Sequence, residues 1–158
     1  MAKGIELTKG RIALVDDEDY ERVSSYKWSL QNTNYAASCI DGKKTLLHRF
    51  ILDVSQEQTI DHKNRDGLDC RRENLRLCTH SQNQHNRPAQ RNNSTGYKGV
   101  RWNKTNKRYA ANISVDGHRI HLGYFDSPED AAYAYDQAAL QHYGEFAWTN
   151  IGGSHGET

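Results

Sequence analysis

An α+β fold in two modules is predicted by three observations. Two Asp-Gly pairs, Asp41-Gly42 and Asp116-Gly117, interrupt extended stretches in the manner of antiparallel hairpins. Helical spacing is confined to short segments and one long stretch after Ser127. Between the two hairpin regions runs Asn86-Arg87-Pro88-Ala89-Gln90-Arg91-Asn92-Asn93-Ser94-Thr95-Gly96, which has no apolar periodicity and holds one of the 2 prolines. That segment reads as a linker, and its arginines can also lie along a phosphate backbone.

In chain order, residues 5–7 and 11–15 predict short strands around a Lys9-Gly10 turn. A helix is expected over 19–25, leading into Tyr26-Lys27-Trp28. Residues 35–40 and 44–47 pair around Asp41-Gly42, and 48–54 read as a short apolar helix. Two extended pieces, 59–62 and 75–79, flank a polar loop over 63–73. A short helix over 80–87 follows, capped by Thr79 and Gln82 and halted by Pro88.

The second module has the clearer pattern. Residues 97–102 predict a strand and 103–107 a polar turn. In 108–115, Tyr109, Ala111, Ile113 and Val115 alternate with Arg108, Ala110, Asn112 and Ser114. Residues 118–124 continue this, with Ile120, Leu122 and Tyr124 on one face and Arg119 and His121 on the other. Ser127 is a good N-cap, Pro128 suits the first helical position, and Asp130 has capping-box spacing. Ala131, Ala134, Tyr135, Ala138, Ala139 and His142 form one stripe, and Gly144 is a stop. The expected product is a three-stranded antiparallel sheet with one face under a helix and the other showing Arg, Lys, Asn and His. The domain limits are 1–87, a linker over 88–96, a second domain over 97–150, and a flexible tail over 151–158.

Composition bounds the function. Lys plus Arg total 21 and Asp plus Glu 20, so the net charge of +1 excludes a strongly cationic tail or a polyanion mimic. Hydrophobic residues are 35% of the 158, which argues against one large core; the mean hydropathy is −0.96. No apolar run reaches the ~18 residues of a membrane span, and the first residues lack a secretory signal. A soluble, intracellular (cytoplasmic) protein is expected. Cys39, Cys70 and Cys78 form no C-x-x-C pair and read as reduced thiols. Cys70, Cys78, His80 and His85 fit no common zinc spacing, so no structural zinc is expected. Local charge is uneven: Asp116 is the only acid among eight basic residues from Arg87 to Arg119, a candidate polyanion face. Residues 16–21 carry five acids and read as a solvated turn or helix start.

Functional side chains concentrate between residues 60 and 87. The blocks are Ile60-Asp61-His62-Lys63-Asn64, then Glu73-Asn74-Leu75-Arg76, then Ser81-Gln82-Asn83. Together with the upstream Leu47-His48-Arg49-Phe50, they resemble the HNH endonucleases and their ββα-metal core, over about residues 46–87. The resemblance implies a DNA phosphodiesterase in which His62 is the general base and Asn74 orients it or its loop. It also implies that Asp61 and Asn83 hold a divalent cation, Mg²⁺ or Mn²⁺, with oxygen ligands. Its third position is often His and here is Asn83. Neighbouring strand positions point to opposite sides, so Asp61 and His62 are placed for the leaving oxygen and the attacking water respectively. An imidazole of ordinary pKa near ~6.5 takes a proton at neutral pH. Arg71, Arg72 and Arg76, with Arg87 and Arg91, are candidate phosphate contacts, solvated arginines being the alternative. His48 reads as an imidazole bonded within the core, and His80 and His85 as surface residues.

The second module carries Tyr97-Lys98-Gly99-Val100-Arg101, Tyr109-Ala110-Ala111-Asn112-Ile113, Leu122-Gly123-Tyr124-Phe125 and Ala131-Ala132-Tyr133-Ala134-Tyr135-Asp136. These blocks resemble the AP2 DNA-binding domain, over about residues 94–150. The resemblance implies that the sheet enters the major groove of double-stranded DNA, with Lys98, Arg101, Lys104, Arg108, Asn112, Arg119 and His121 facing it. Arg101 and Arg119 are the foremost candidates for guanine or phosphate. Strict alternation puts Lys98 and Arg101 on opposite faces, so a bulge or twist is required. Trp102 either packs at the sheet edge or stacks on DNA. The whole reads as a sequence-targeted endonuclease of phage or mobile-element type, a monomer or weak dimer that nicks one strand per core. The alternatives are a DNA-binding regulator with a vestigial core, and a zinc-stabilised RNA-binding module.

Overall fold

The structure is a computed structural model and describes residues 1–152; most of the expected tail, 153–158, lies outside the described residues. The chain divides into two compact units, 1–83 and 84 onward.

The first unit opens with β1 (Ala2–Glu6) paired antiparallel to β2 (Ile12–Asp16). Lys9 and Gly10 reverse the chain with φ of 64° and 67°. Helix α1 (Asp17–Ser24) follows, its first turn holding Asp17, Glu18 and Asp19, which complement the helix dipole. Strands β3 (Ser29–Leu30), β4 (Ala36–Ile40) and β5 (Lys43–Leu46) form an antiparallel sheet. Asp41 and Gly42 both have positive φ, 50° and 74°, as a tight hairpin turn requires. Helix α2 (Leu47–Leu52) starts directly from β5. Next, β6 (Thr59–His62) pairs with β7 (Leu75–Cys78), and α3 (His80–His85) follows. The expected capping box of α3 is present: Thr79 N donates to Gln82 Oε1 at 2.8 Å and Gln82 N to Thr79 Oγ1 at 3.2 Å. Val15, Val23, Trp28, Leu47, Ile60 and Leu75 share one core. Residues 1–52 are therefore built into the same core that supports β6 and β7.

The second unit is a sheet of β8 (Val100–Asn103), β9 (Arg108–Val115) and β10 (His118–Phe125), in the order β10-β9-β8, with helix α4 (Pro128–Tyr143) on one face. Asp116 and Gly117 turn the β9–β10 hairpin with φ of 49° and 79°. Ser127 Oγ accepts from Asp130 N at 3.0 Å, the expected N-cap. Ala111 and Ile113 are buried against the alanine stripe of α4, and those small side chains let helix and sheet approach closely. Past the helix, Asp136 accepts from Asn150 N and Ile151 N, both at 2.7 Å, and Asn150 Oδ1 accepts from Lys98 N at 2.7 Å. Residues 150 and 151 are thereby fastened to both α4 and the entry to β8.

One expectation is corrected. The β9–β10 register slips between His121 and Gly123, so Gly123 lies opposite Ala111 and Tyr124 opposite Ala110. The bulge inverts the parity of the strand. Tyr124 therefore shares a face with Ala110 and His121, whereas simple alternation grouped it with Ile120 and Leu122.

Candidate active site and nucleic-acid interface

Strand β6 ends in Asp61 and His62, each 4% exposed. Antiparallel pairing sets Asp61 opposite Arg76, and Arg76 Nε and Nη2 donate to Asp61 Oδ2 at 2.8 and 2.6 Å. Arg76, expected as a phosphate contact, is thus held by Asp61. Beside them lies the Cys78 thiol, pushed up mainly by burial and further by Asp61. Arg76 and a backbone hydrogen bond with Asn83 act on the same thiol in the opposite sense. The Asp61 carboxylate and the Asn83 backbone thus both act on Cys78. Among the described residues no three His, Cys, Asp or Glu side chains cluster as a dedicated metal cage. One carboxylate and one amide are hard oxygen donors of the kind that Mg²⁺ takes while retaining waters and substrate phosphate.

Asn74 is 6% exposed and closes the loop behind His62. Its Oδ1 accepts from Asn64 N at 2.9 Å, its Nδ2 donates to Asp69 O at 2.7 Å, and its carbonyl accepts from Lys63 N at 2.9 Å. Asp69, which sequence reasoning passed over, completes the staple. It is 3% exposed and accepts from Asn64 Nδ2 at 2.8 Å and from Arg71 Nε and Nη2 at 2.8 and 2.7 Å. Those Arg71 bonds hold its carboxyl below the usual range. The available signal was the run of side-chain-to-backbone turns, Asn64 Oδ1 to Asp66 N and Asp66 Oδ1 to Leu68 N.

The His62 ring sits 5.0 Å from the His48 ring and 5.6 Å from that of Tyr35. Tyr35, from the turn before β4, is 5.3 Å from His48. Gly67 packs so close to this turn that a Cβ there would lie 2.5 Å from Asn34 O. The base candidate is therefore enclosed rather than open to bulk water. Burial lowers its pKa, with Asp61, Asp66 and Asp69 opposing in part, so the imidazole is neutral at pH 7.

His48 is pushed down to about 3, first by burial and then by His62 and Arg49. Its Nδ1 has no hydrogen-bond partner among the described residues. A histidine neutral when folded and protonated when unfolded contributes stability that is complete above the unfolded pKa of 6.5. That contribution is lost as pH falls from there toward 3. Between pH 7 and pH 5 the unfolding free energy is expected to drop by about 2 kcal/mol more in the native chain than in His48→Gln. Urea melts at the two pH values measure this, and equal drops would refute the assignment.

The remaining arginines separate. Arg71 also reaches Glu73 at 2.7 Å, and Arg72 grips buried Asp19 with Nε and Nη2, both at 2.8 Å. Arg72 N donates to Asp16 Oδ2 at 2.7 Å, which ties the loop before β7 to the start of α1. Arg71, Arg72 and Arg76 thus have carboxylate partners that their sequence spacing did not reveal. Arg87 and Arg91 are exposed, and Arg87 lines an open cleft of about 580 Å³ with Arg101, Asn92 and Ser94.

On the second unit, the face away from α4 presents Arg101, Asn103, Arg108, Ser114, Arg119, His121 and Tyr124 around Asn112. Lys104 is exposed in the turn after β8. Arg108 pairs with Asp126 at 2.8 Å. Lys98 precedes the strand, and its Nζ donates to the carbonyls of His85 and Arg87 at 2.7 and 2.6 Å. It fastens the chain as it leaves α3 rather than lying in line with Arg101, which removes the alternation conflict. Tyr124, 41% exposed with its ring 4.6 Å from His121, joins this face through the bulge. Trp102 lies edge-on to Tyr109, at 4.9 Å.

Residues 56–85 match the family described as HNH endonuclease, and residues 95–145 match the AP2 domain. An uncharacterized HNH endonuclease of Acanthamoeba polyphaga mimivirus is 34% identical over 148 residues, covering 90% of this chain and 76% of the relative. The matched family segment contains β6, β7 and α3, and with them Asp61, His62, Asn74 and Asn83. The second match takes in all three strands of the AP2 sheet and its helix. On this identity and coverage, the chain belongs to the HNH endonuclease family and carries an AP2 domain.

Proposed function

We propose that the protein is a divalent-cation-dependent endonuclease that cuts one strand of double-stranded DNA per nuclease unit, at sites selected by the AP2 sheet. The observation that carries this reading is a neutral, enclosed His62 beside Asp61 at the end of β6, with the loop behind it closed by Asn74. Asp61 and Asn83 would hold Mg²⁺ or Mn²⁺, which when bound offsets charge on the phosphate and the departing oxygen. His62 accepts the proton of the attacking water at its imidazole nitrogen. Asn74 and Asp69 keep the following loop from relaxing, so the ring holds its orientation. Arg76 pairs with Asp61 and offsets its charge. Arg101, Arg108, Arg119, Lys104 and His121 supply the face that meets the duplex, with Asn112 at its centre, and Arg87 and Arg91 are placed before it for phosphate. Lys98 acts through its grip on the carbonyls of His85 and Arg87, where the chain leaves α3.

A monomer has one such site, so supercoiled plasmid is expected to open to the nicked circle before any linear form accumulates. EDTA should stop the reaction and added Mg²⁺ restore it. Linear product from the outset at low protein concentration, or undiminished cutting in EDTA, would reject the respective half of the reading.

A further inference from the structure

We propose that Asn112 reads a single adenine through the major groove, with His121 as its positioning residue; this rests on the reading above that the AP2 sheet engages duplex DNA. Asn112 stands at the centre of the outer face, on the middle strand β9, directly opposite His121 on β10. Its backbone N–H is already used, donating to Gly99 O at 2.8 Å. The residue is 8% exposed, and its Nδ2 is buried with no hydrogen-bond partner among the described residues. Leaving a buried amide donor unmatched is unfavourable, and native proteins rarely tolerate it without a functional reason. The residue belongs to the sheet face turned away from α4, where the structure supplies no acceptor; because Nδ2 is covered in the free protein, a base edge reaches it only as the side chains around it move aside.

The partner atoms narrow the base. His121 Nδ1 lies 3.3 Å from Asn112 Oδ1. With the proton on Nδ1 the imidazole donates to that oxygen, fixes which end of the amide is Nδ2, and leaves Oδ1 one further lone pair. The amide then offers one donor and one acceptor side by side. Adenine presents the matching acceptor and donor, N7 and N6–H, in the major groove, whereas guanine presents two acceptors and the pyrimidines lack N7. The Tyr124 ring, 4.6 Å from His121, backs the imidazole and limits its rotation.

The test uses the full chain in EDTA, so that binding is read without cutting, and selects sites from a randomised duplex. The native protein is expected to enrich a site with one fixed adenine. Asn112→Ala should make that position degenerate, keep the others, and lose roughly 5- to 150-fold affinity for the native site, the range of a good bidentate contact. Replacing that adenine by 7-deazaadenine should weaken the native protein and leave Asn112→Ala unaffected. His121→Ala should soften the same position without shifting its neighbours. Asn112→Ala loses the contact with His121 but also removes an unmatched buried donor, so its DNA-free melting temperature should change little. An unchanged selected site, insensitivity to 7-deazaadenine at every adenine, or a markedly less stable variant would each overturn the assignment. If Arg101→Ala and Arg119→Ala alter the selected site while Asn112→Ala does not, the reader sheet stands and only this inference fails. No enrichment by the native chain would remove the reader reading itself.

Discussion

His62→Ala is expected to slow DNA cleavage roughly 10²- to 10⁴-fold, the range of a lost general base, while DNA affinity stays near native. Two features of the site set this expectation. Burial penalises the charged form of the imidazole and holds its pKa below the ordinary value, which favours the proton-accepting state at pH 7. Its position is fixed from three directions: the β6–β7 pairing of His62 with Leu75, the loop closed by Asn74 and Asp69, and the rings of His48 and Tyr35. A water or a neighbouring side chain cannot readily substitute for a base held this way. The same enclosure means that alanine leaves a cavity, so His62→Gln, which keeps most of the volume, is the necessary companion. Both variants should bind the native site like the parent and neither should cut it at a comparable rate. Equal losses of binding and cutting would show that the ring supports the fold rather than the reaction.

How much of this was legible beforehand depended on the distance over which each feature is encoded. The ends of β6 and β9, the α3 capping box and the Ser127 cap follow from residues a few positions apart, and the structure has them where local chemistry places them. The Arg72–Asp19 pair spans 53 positions, and no local pattern connects an acidic helix start to a distant arginine. The acidic stretch over 16–21, expected as a solvated turn or helix start, does begin a helix, as one of those alternatives has it, but it gives no local sign that Asp19 is 3% exposed. The Asp61–Arg76 pair joins two strands that the sequence does predict, but the polar loop between them carries no local signal of their register. Tyr124 was assigned to the wrong face for a similar reason. One extra residue in β10 inverts all that follows it, and alternation carries no signal of where such a residue sits. The candidate catalytic residues were legible as a spaced set, whereas the side chains that surround them, Tyr35, His48 and Asp69, required the fold.

Gly99→Ala is expected to produce the converse phenotype, loss of site-selective binding with weak, unselective cutting retained. Gly99 has φ of +76°, and a Cβ there would lie 2.1 Å from Tyr135 Cδ2, 2.4 Å from Cε2 and 2.6 Å from the Asn112 carbonyl oxygen. A left-handed backbone conformation costs an L-residue about 1–2 kcal/mol, and forcing a methyl into a packed contact adds about 1–3 kcal/mol. A unit of about 70 residues has roughly 3–10 kcal/mol of stability in all. Its core here is built largely from alanines and one buried tyrosine, with little capacity to rearrange. Much of the second unit should therefore be unfolded at 37 °C, which circular dichroism melts and site-specific binding would both register. The contributions can be separated. Adding Tyr135→Leu to Gly99→Ala removes the ring but neither the backbone strain nor the clash with the Asn112 carbonyl, so rescue should be partial at most. A Gly99→Ala chain that melts and binds like the parent would mean that α4 does not pack on the sheet at this point. Because α4 and Asn150 both close on the entry to β8, through Tyr135 and through the bonds of Asn150 with Lys98, such a result would undo the packing from which the outward face of the reader sheet is assigned.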